Sequence, residues 1–344
     1  MTSPFGDKRL WAGVAISIVL LGLLFRSVDP DALLRAFRGI RWEWLIPAVV
    51  FTMLGYVVRA VRWKYLLSPI KQASFANLVS ATFIGYMANN LLPARLGELV
   101  RAYVLGEREG IGTGAVVATL VIDRLADGFT VLLLLMATVF TLRLPPGSET
   151  AQQGLVAGGY LTLALYLAVV VFLVLLRRNT MGTIRILERL LKPFPNGVAE
   201  KVIPFLGAFI EGARLTPHWK ERLALVGTSI IIWGVALLPV YSVLRAFGMN
   251  FPLSVSAFIL VLLVFAVMVP ASPGFVGTYH AACVYGLLVF GVPRETALSV
   301  AIVIHGINFF PVIVAGLACL WRENQSLAAL GRRAGMQNTH AEGR

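Results

Sequence analysis

Three ionisable residues, Asp123, Arg124 and Asp127, lie about ten residues inside a long apolar stretch of the chain. The two aspartates are spaced i, i+4, so their carboxylates share one face of a helix, and Arg124 lies beside that face. Each charge would cost about 2.5–3.5 kcal/mol if it faced lipid at mid-bilayer, so these residues must be paired or hydrated. They form either an ion pair that fixes helix packing or the polar lining of a substrate cavity.

A second set of polar residues surrounds a break in the preceding apolar stretch. Arg95 follows the break, and Glu98 and Arg101 are i, i+3 neighbours in the next helix-forming run. They are either ordinary surface charges of an interfacial helix or part of an anion site, because the N-terminus of a half-helix in the membrane attracts anions and Arg95 can bind phosphate bidentately. Asn89 and Asn90, before the break, supply further donors or satisfy the broken backbone.

The second half of the chain has nearly neutral residues at the corresponding places, Ser272, Tyr279 and His280. His280 either lines a cavity or hydrogen-bonds a neighbouring carbonyl. His305 and Asn308, one turn apart in the last apolar run, either hold adjacent helices together or relay protons. A basic first site and a nearly neutral second site favour an anionic headgroup that enters from the cytoplasmic side.

Two arginines lie near the end of the apolar run at residues 43–66. Arg62 fits a side chain that extends to the membrane surface along its aliphatic stem. Arg59 is one turn deeper, which makes it a further candidate for the polar lining.

Two interruptions of the apolar sequence determine where these polar residues lie. Pro93 and Gly97 mark the first interruption, and Pro270, Pro273 and Gly274 mark the second. Irregular backbone survives in a bilayer only where protein or a water-filled cavity satisfies its polar groups. The arms around each break make poor independent spans, so we predict two re-entrant helical hairpins. Paired interruptions of this kind are typical of a transport site.

The composition is that of a polytopic membrane protein. Of 344 residues, 58% are hydrophobic and 14% are charged, and the mean hydropathy is +0.80. We predict an all-α fold with six transmembrane helices and two hairpins. The first apolar run, residues 10–25, lacks a cleavage site and is expected to be a retained helix. The net charge of +13 comes from basic residues between the spans, so it does not indicate nucleic-acid binding.

The distribution of basic residues predicts the topology. The strongly basic segment 177–221 is expected to be a cytoplasmic amphipathic linker, and 322–344 a flexible cytoplasmic tail. Both termini are then cytoplasmic, although the arginines of the first outer loop fit this less well. The order helix, helix, hairpin, helix occurs in 8–142 and again, from the opposite side, in 155–321. We therefore predict one membrane domain, residues 1–344, built as an inverted-topology repeat.

Sequence patterns of common enzymes are absent, including HExxH, GxSxG and GxxxxGK[ST]. Cys283 and Cys319 lie in apolar runs, and no CxxC or Cys/His cluster occurs, so we expect neither a metal site nor a disulfide framework. We predict a protein that is not an enzyme and that has no cofactor.

Three segments resemble the flippase-like transmembrane domain of bacterial lysylphosphatidylglycerol synthases: NNLLPARLGELVR at 89–101, DRLADG at 123–128 and PGFVG at 273–277. The similarity covers nearly the whole chain. It implies a multi-pass protein of the bacterial cytoplasmic (inner) membrane whose domain moves lipid between leaflets. Synthase activity is not implied, because the family's soluble synthase domain is expected to be absent after the last helix.

The leading hypothesis is a flippase that moves an anionic or phosphate-bearing (glyco)lipid, such as one with a polyprenyl-phosphate headgroup, through a polar cavity between the two repeats. The alternative is a non-transporting subunit that scaffolds, or presents lipid to, a lipid or glycolipid biosynthetic enzyme. An intramembrane enzyme acting on polyprenyl phosphates is a third possibility. The predicted substrate-binding residues are Arg59, Asn89, Asn90, Arg95, Glu98, Arg101, Asp123, Arg124, Asp127, Ser272, Tyr279, His280, His305 and Asn308.

Overall fold

The structure, a computed structural model, describes residues 29–92, 96–142, 149–178, 219–268 and 273–322, with isolated positions 19, 22, 26 and 182. Every regular element in these ranges is helical, which confirms the predicted all-α class. Some predictions concern positions outside the described residues: nearly all of the first apolar helix, most of the linker and the tail, and Pro93, Arg95, Pro270 and Ser272.

Ten α-helices lie in the described ranges: α1 Pro30–Arg38, α2 Leu45–Leu67, α3 Phe75–Leu91, α4 Gly97–Glu109, α5 Thr113–Thr141, α6 Glu149–Arg178, α7 Trp219–Ala246, α8 Leu253–Met268, α9 Thr278–Leu288 and α10 Arg294–Arg322. Two 3₁₀ helices, Trp42–Trp44 and Pro273–Phe275, precede α2 and α9.

Local sequence signals explain several helix ends. At the start of α1, a carboxylate oxygen of Asp29 accepts a hydrogen bond from the backbone N–H of Asp31 at 2.9 Å, and Pro30 occupies the first turn, where its missing N–H costs nothing. α4 ends at Glu109 and is capped by Gly110, whose φ of 63° lies in the left-handed region that glycine adopts without strain.

Three helical segments of the described residues are long and apolar enough to cross a membrane by length and composition: Trp42–Leu67, Trp219–Ala246 and Arg294–Arg322. α5 has 29 residues, as α10 does. At about 1.5 Å per residue, both exceed the roughly 30 Å hydrocarbon core. α5 differs because Asp123, Arg124 and Asp127 lie near its middle.

Both interruptions separate a pair of short helices. α3 and α4 have 17 and 13 residues, and α8 and α9 have 16 and 11. At about 1.5 Å per residue, each is shorter than a full span of the hydrocarbon core. The arms of the first pair touch through their backbones, because a Cβ added to Gly97 would overlap the carbonyl oxygen of Gly85. In the second break, Gly274 and Gly277 adopt φ values of 75° and 97°.

The described helices pack around two large hydrophobic cores, with a small third cluster at Val131, Ile232 and Trp233. One core is formed mainly by α2, α3, α4 and α5, and the other by α7, α8, α9 and α10. α2 packs along α7 between them. α10 crosses to pack on α3, and α5 crosses to pack on α8, so the long last helix of each set contacts a short helix of the other.

Candidate functional site

Helices α2, α4 and α5 bring seven ionisable side chains into contact, although the sequence separates some of them by more than sixty residues. We call this set the arginine–carboxylate cluster. Its members are Arg59, Arg62, Glu98, Arg101, Asp123, Arg124 and Asp127.

Asp123 lies at the centre of the cluster and is fully buried. Its Oδ1 accepts a hydrogen bond from Nε of Arg62 at 2.7 Å. Its Oδ2 accepts one from Nη2 of Arg124 at 2.8 Å and a longer one from Nη1 of Arg101 at 3.4 Å. A carboxylate with three guanidinium partners is charge-compensated, which explains how it can be buried.

Asp127, one turn further along α5, is also surrounded by donors. Arg59 Nη1 donates to its Oδ2 at 2.7 Å, and Arg62 Nη2 lies 2.9 Å from its Oδ1. The indole N–H of Trp233 in α7 donates to the same Oδ1 at 3.2 Å. Asp127 therefore connects α2, α5 and α7.

Arg62 is the most important residue that the sequence interpretation assigned wrongly. It does not extend to the membrane surface: its side chain is 0% exposed, and it contacts both aspartates. Its Nη1 also donates to the hydroxyl of Ser229 at 3.2 Å. The signal in the sequence was the i, i+3 spacing from Arg59, which places both guanidinium groups on one helix face, opposite the i, i+4 aspartates.

Arg101 is a buried cation that is only partly compensated. It is 1% exposed, so the interpretation as a surface charge is wrong for this residue. Its guanidinium carbon lies 3.9 Å from the centre of the Trp63 ring, in a cation–π contact. Its Nε and Nη2 have no hydrogen-bond partner among the described residues. With four arginines and three carboxylates, the cluster carries a net charge of +1.

One side of the cluster is accessible. The side chains of Arg124 and Glu98 are 39% and 30% exposed, and Arg124 Nε lies 3.6 Å from Glu98 Oε1. Arg124 Nη2 also donates to the hydroxyl of Tyr86 at 2.8 Å. The cluster therefore has a buried base, formed around Asp123, and a rim that a ligand can reach.

Aromatic rings that the sequence interpretation did not select extend the site from this rim. The Arg59 guanidinium lies 5.6 Å from the Tyr86 ring centre and 5.7 Å from that of Trp233. Tyr56, one turn before Arg59, lies 4.8 Å from Tyr86 between ring centres. Nothing in the local sequence distinguishes these tyrosines from ordinary core residues.

Asn89 stabilises the first break. Its side-chain oxygen accepts a hydrogen bond at 2.9 Å from the backbone N–H of Gly97, the first residue of α4. This supports the alternative in which it satisfies the broken backbone. Asn90, the next residue of α3, is half-buried.

The polar residues of the second half form a separate set, the histidine group, consisting of Tyr279, His280, His305 and Asn308. The ring centres of His280 and His305 are 4.9 Å apart, and those of Tyr279 and His305 are 5.0 Å apart. The side chain of Asn308 hydrogen-bonds Tyr279 and donates to the carbonyl of Ile304 at 2.9 Å. The sequence identified each member but did not predict that the two histidines meet.

No three His, Cys, Asp or Glu side chains in the described ranges group together as metal ligands. The arginines of the first site instead match anions, because each presents several N–H donors and a permanent positive charge.

Apolar membrane-length helices, two helix interruptions and a buried charge cluster define a multi-pass helical membrane protein. Residues 10–316 match the family described as the lysylphosphatidylglycerol synthase TM region, and the chain belongs to this family. The match confirms the resemblance found in the three sequence segments, and it includes both polar sites. A comparison with curated proteins finds no match.

Proposed function

We propose that this protein moves an anionic or phosphate-bearing lipid between the leaflets of its membrane. The observation that carries the proposal is the buried, partly compensated Arg101 beneath the accessible pair Arg124 and Glu98. Membership of a family named for the transmembrane region of a lipid synthase supports a role that concerns membrane lipid.

The net charge of the cluster favours a ligand site over a purely structural network. A network that only joins helices gains nothing from a surplus buried cation, which costs free energy unless an anion compensates it. Two nitrogens of Arg101 have no hydrogen-bond partner among the residues that the structure describes, and Arg124 lies at the rim. Guanidinium groups bind phosphate oxygens through paired N–H donors, so a headgroup phosphate matches this arrangement.

The proposed transport path uses both halves of the chain. We infer that residues 8–142 and 155–321 form inverted repeats whose hairpins, α3–α4 and α8–α9, are re-entrant. The crossed packing of α10 on α3 and of α5 on α8 supports this inference. In both contacts the long last helix of one set packs on the first short helix of the other, as expected for two repeats related by symmetry. Alternating access would then rock one repeat against the other while the lipid tails stay in the bilayer. Basic segments on one side support an inner-membrane location with cytoplasmic termini.

The test compares stability with transport in Arg101→Met. Asp123 keeps Arg62 and Arg124 when this cation is lost, at 2.7 and 2.8 Å, so we expect the thermal midpoint to remain unchanged or to rise. Lipid exchange in proteoliposomes, measured by dithionite quenching of fluorescent phosphatidylglycerol, should fall by about tenfold or more, because about 1.4 kcal/mol of lost headgroup binding has that effect.

Two matched measurements complete the test. Arg35→Gln, which changes an exposed arginine of α1, should exchange lipid as the unchanged protein does. Fluorescent phosphatidylcholine and a polyprenyl phosphate define the headgroup class. Folded protein that exchanges none of these lipids would overturn the proposal, and stoichiometric co-purification with a biosynthetic enzyme would then favour the scaffolding alternative. The alternative result is that Arg101→Met lowers the thermal midpoint while its folded fraction exchanges lipid at the normal rate. That result would show that the cluster serves only to hold the helices together.

A further inference from the structure

The histidine group contains two imidazoles in direct contact. His280, in the first turn of α9, and His305, in the middle of α10, have ring centres 4.9 Å apart at an angle of 73°. His280 is 7% exposed, and its Nδ1 has no hydrogen-bond partner among the described residues. A buried ring nitrogen without a partner is a vacant position for a proton or a donor.

The groups that face the pair are neutral. Tyr279 and Cys283 belong to α9, and the ring of Tyr279 lies beside that of His305. The 3₁₀ turn before α9 contributes the uncharged backbone of Gly274. α10 contributes Asn308 and Phe309. Within the described ranges, no carboxylate or cation contacts either imidazole.

Tyrosines also lie beside both polar sites. Tyr86 accepts a hydrogen bond from Arg124 at 2.8 Å, and its ring centre lies 4.8 Å from that of Tyr56. Beside the second site, the ring centre of Tyr279 lies 5.0 Å from that of His305. The hydroxyl groups of these tyrosines can donate to a headgroup at either site.

We propose that His280 and His305 together bind one proton that crosses the membrane with each anionic headgroup. This inference rests on the proposed lipid transport, and it identifies a proton gradient as the force that drives that transport. An imidazolium in this neutral, buried environment lacks a charge partner and is disfavoured. A phosphate that reaches the pair supplies that partner, so proton and anion stabilise each other.

The protonation step is balanced and breaks no bond of the lipid. A ring nitrogen of the pair takes a proton from water on the side where the lipid enters and releases it to water on the opposite side. The headgroup carries one negative charge, so the transported unit is electrically neutral. Transport should therefore respond to a pH difference and not to a membrane potential.

The experiment uses the full chain in phosphatidylcholine vesicles that contain a trace of fluorescent phosphatidylglycerol. A pH difference of about one unit is imposed, and dithionite quenching gives the final ratio of the probe in the two leaflets. One proton per lipid predicts accumulation in the alkaline-side leaflet by about tenfold, because one pH unit is a tenfold difference in proton activity. The double variant His280→Gln/His305→Gln should give a ratio near one. Cys319→Ser, elsewhere on α10, should match the unchanged protein.

The outcomes separate the two proposals. If the unchanged protein exchanges phosphatidylglycerol but its final ratio ignores the pH difference, proton coupling is wrong and lipid transport stands. If it exchanges no lipid, the proposed function itself fails. A double variant that still accumulates lipid by about tenfold would overturn the assignment to the two histidines.

A second measurement reports proton binding without transport. Calorimetry of a soluble short-chain phosphatidylglycerol, titrated in two buffers of different ionisation enthalpy, gives the protons taken up per ligand bound. The experiment is done at a pH above the ordinary pKa of histidine, which is about 6.5. The unchanged protein should then take up about one proton per ligand bound. The double variant should bind with no uptake, and equal uptake by both proteins would contradict the inference.

Discussion

The arginine–carboxylate cluster belongs to the first half of the chain and the histidine group to the second, and the two sites are buried in different ways. In the first, Asp123 and Asp127 each have three guanidinium groups within 3.4 Å. In the second, His280, His305 and Tyr279 contact one another mainly through their rings, at centre distances of 4.9–6.4 Å. The first site is built from ion pairs, and the second contains no permanently charged side chain.

The contrast shows that a buried site with charged side chains needs partners from neighbouring helices, whereas a neutral site does not. A charged side chain in a membrane protein is tolerated only with partners, so the first site is cross-linked through α2, α4, α5 and α7. Neutral rings need no counter-charge, so in the second site a ring nitrogen of His280 can lack a hydrogen-bond partner within the described part of the chain. The first site is therefore held rigidly by its ion pairs, and the second is held mainly by ring contacts.

The strongest test of this contrast removes one charge from the first site. Within the described ranges, Asp123→Asn leaves the fully buried Arg62 with Asp127 as its charged partner, and it removes the ion pair between Asp123 and Arg101. We expect the free energy of unfolding to fall by about 3–5 kcal/mol, the usual effect of breaking a buried pair. Thermal unfolding in detergent, followed by intrinsic fluorescence, measures the change.

The matched change in the second site is Asn308→Ala, which removes hydrogen bonds to Tyr279 and Ile304. Its expected cost is about 0.6 kcal/mol, since hydrogen bonds between membrane helices are weak on average. Equal thermal midpoints for the two variants would show that charge does not distinguish the sites.

The two pairs of short helices, α3 with α4 and α8 with α9, differ as well, and glycine substitutions test that difference. A Cβ on Gly97 would meet the backbone carbonyl of Gly85 and the side chain of Asn89, neither of which can move freely. A Cβ on Gly286 in α9 would lie 2.7 Å from the end of the flexible Leu262 side chain. We expect Gly97→Ala to cost about 1–3 kcal/mol and Gly286→Ala less, because only backbone overlap forces the helices apart.

Gly234→Ala in α7 is the control, because a Cβ there would have no neighbour within 4 Å. The measurement is again the thermal midpoint in detergent. A midpoint of Gly97→Ala equal to that of the control would contradict the close approach of α3 and α4.

Much of this architecture follows from local sequence. The i, i+4 spacing of Asp123 and Asp127 in an apolar run predicted a paired polar face, and α5 places them together. Glycine and proline predicted where α3 ends and α4 begins, since these residues disfavour a continuous helix.

The partners could not be predicted in the same way. Arg62 and Asp123 are 61 positions apart, so their contact depends on how α2 packs against α5. The same limit applies to His280 and His305, which stand on different helices. An isolated arginine near a helix end looks the same in sequence whether it reaches the surface or a buried carboxylate.

A smaller effect tests the edge of the first site. Trp233→Phe removes the indole N–H that donates to Asp127 at 3.2 Å and keeps an aromatic ring in its place. Asp127 retains Arg59 at 2.7 Å and Arg62 at 2.9 Å, so the loss should be about 1 kcal/mol. Trp219→Phe, at a 68% exposed position of α7, is the control for detergent unfolding. A loss as large as that of Asp123→Asn would mean that the indole, not the guanidinium groups, holds Asp127.

The smallest effect comes from an ion pair of the same chemistry at the surface. Arg35 Nη2 lies 3.5 Å from Asp29 Oδ2, and the two side chains are 68% and 56% exposed. Water and salt screen such a pair, so Arg35→Gln should change the free energy of unfolding by less than about 0.5 kcal/mol. The thermal midpoint of this variant should equal that of the unchanged protein at both low and high salt. The midpoint of Asp123→Asn should be lower at both salt concentrations. If Arg35→Gln lost as much stability as Asp123→Asn, burial would not determine how much an ion pair stabilises this protein.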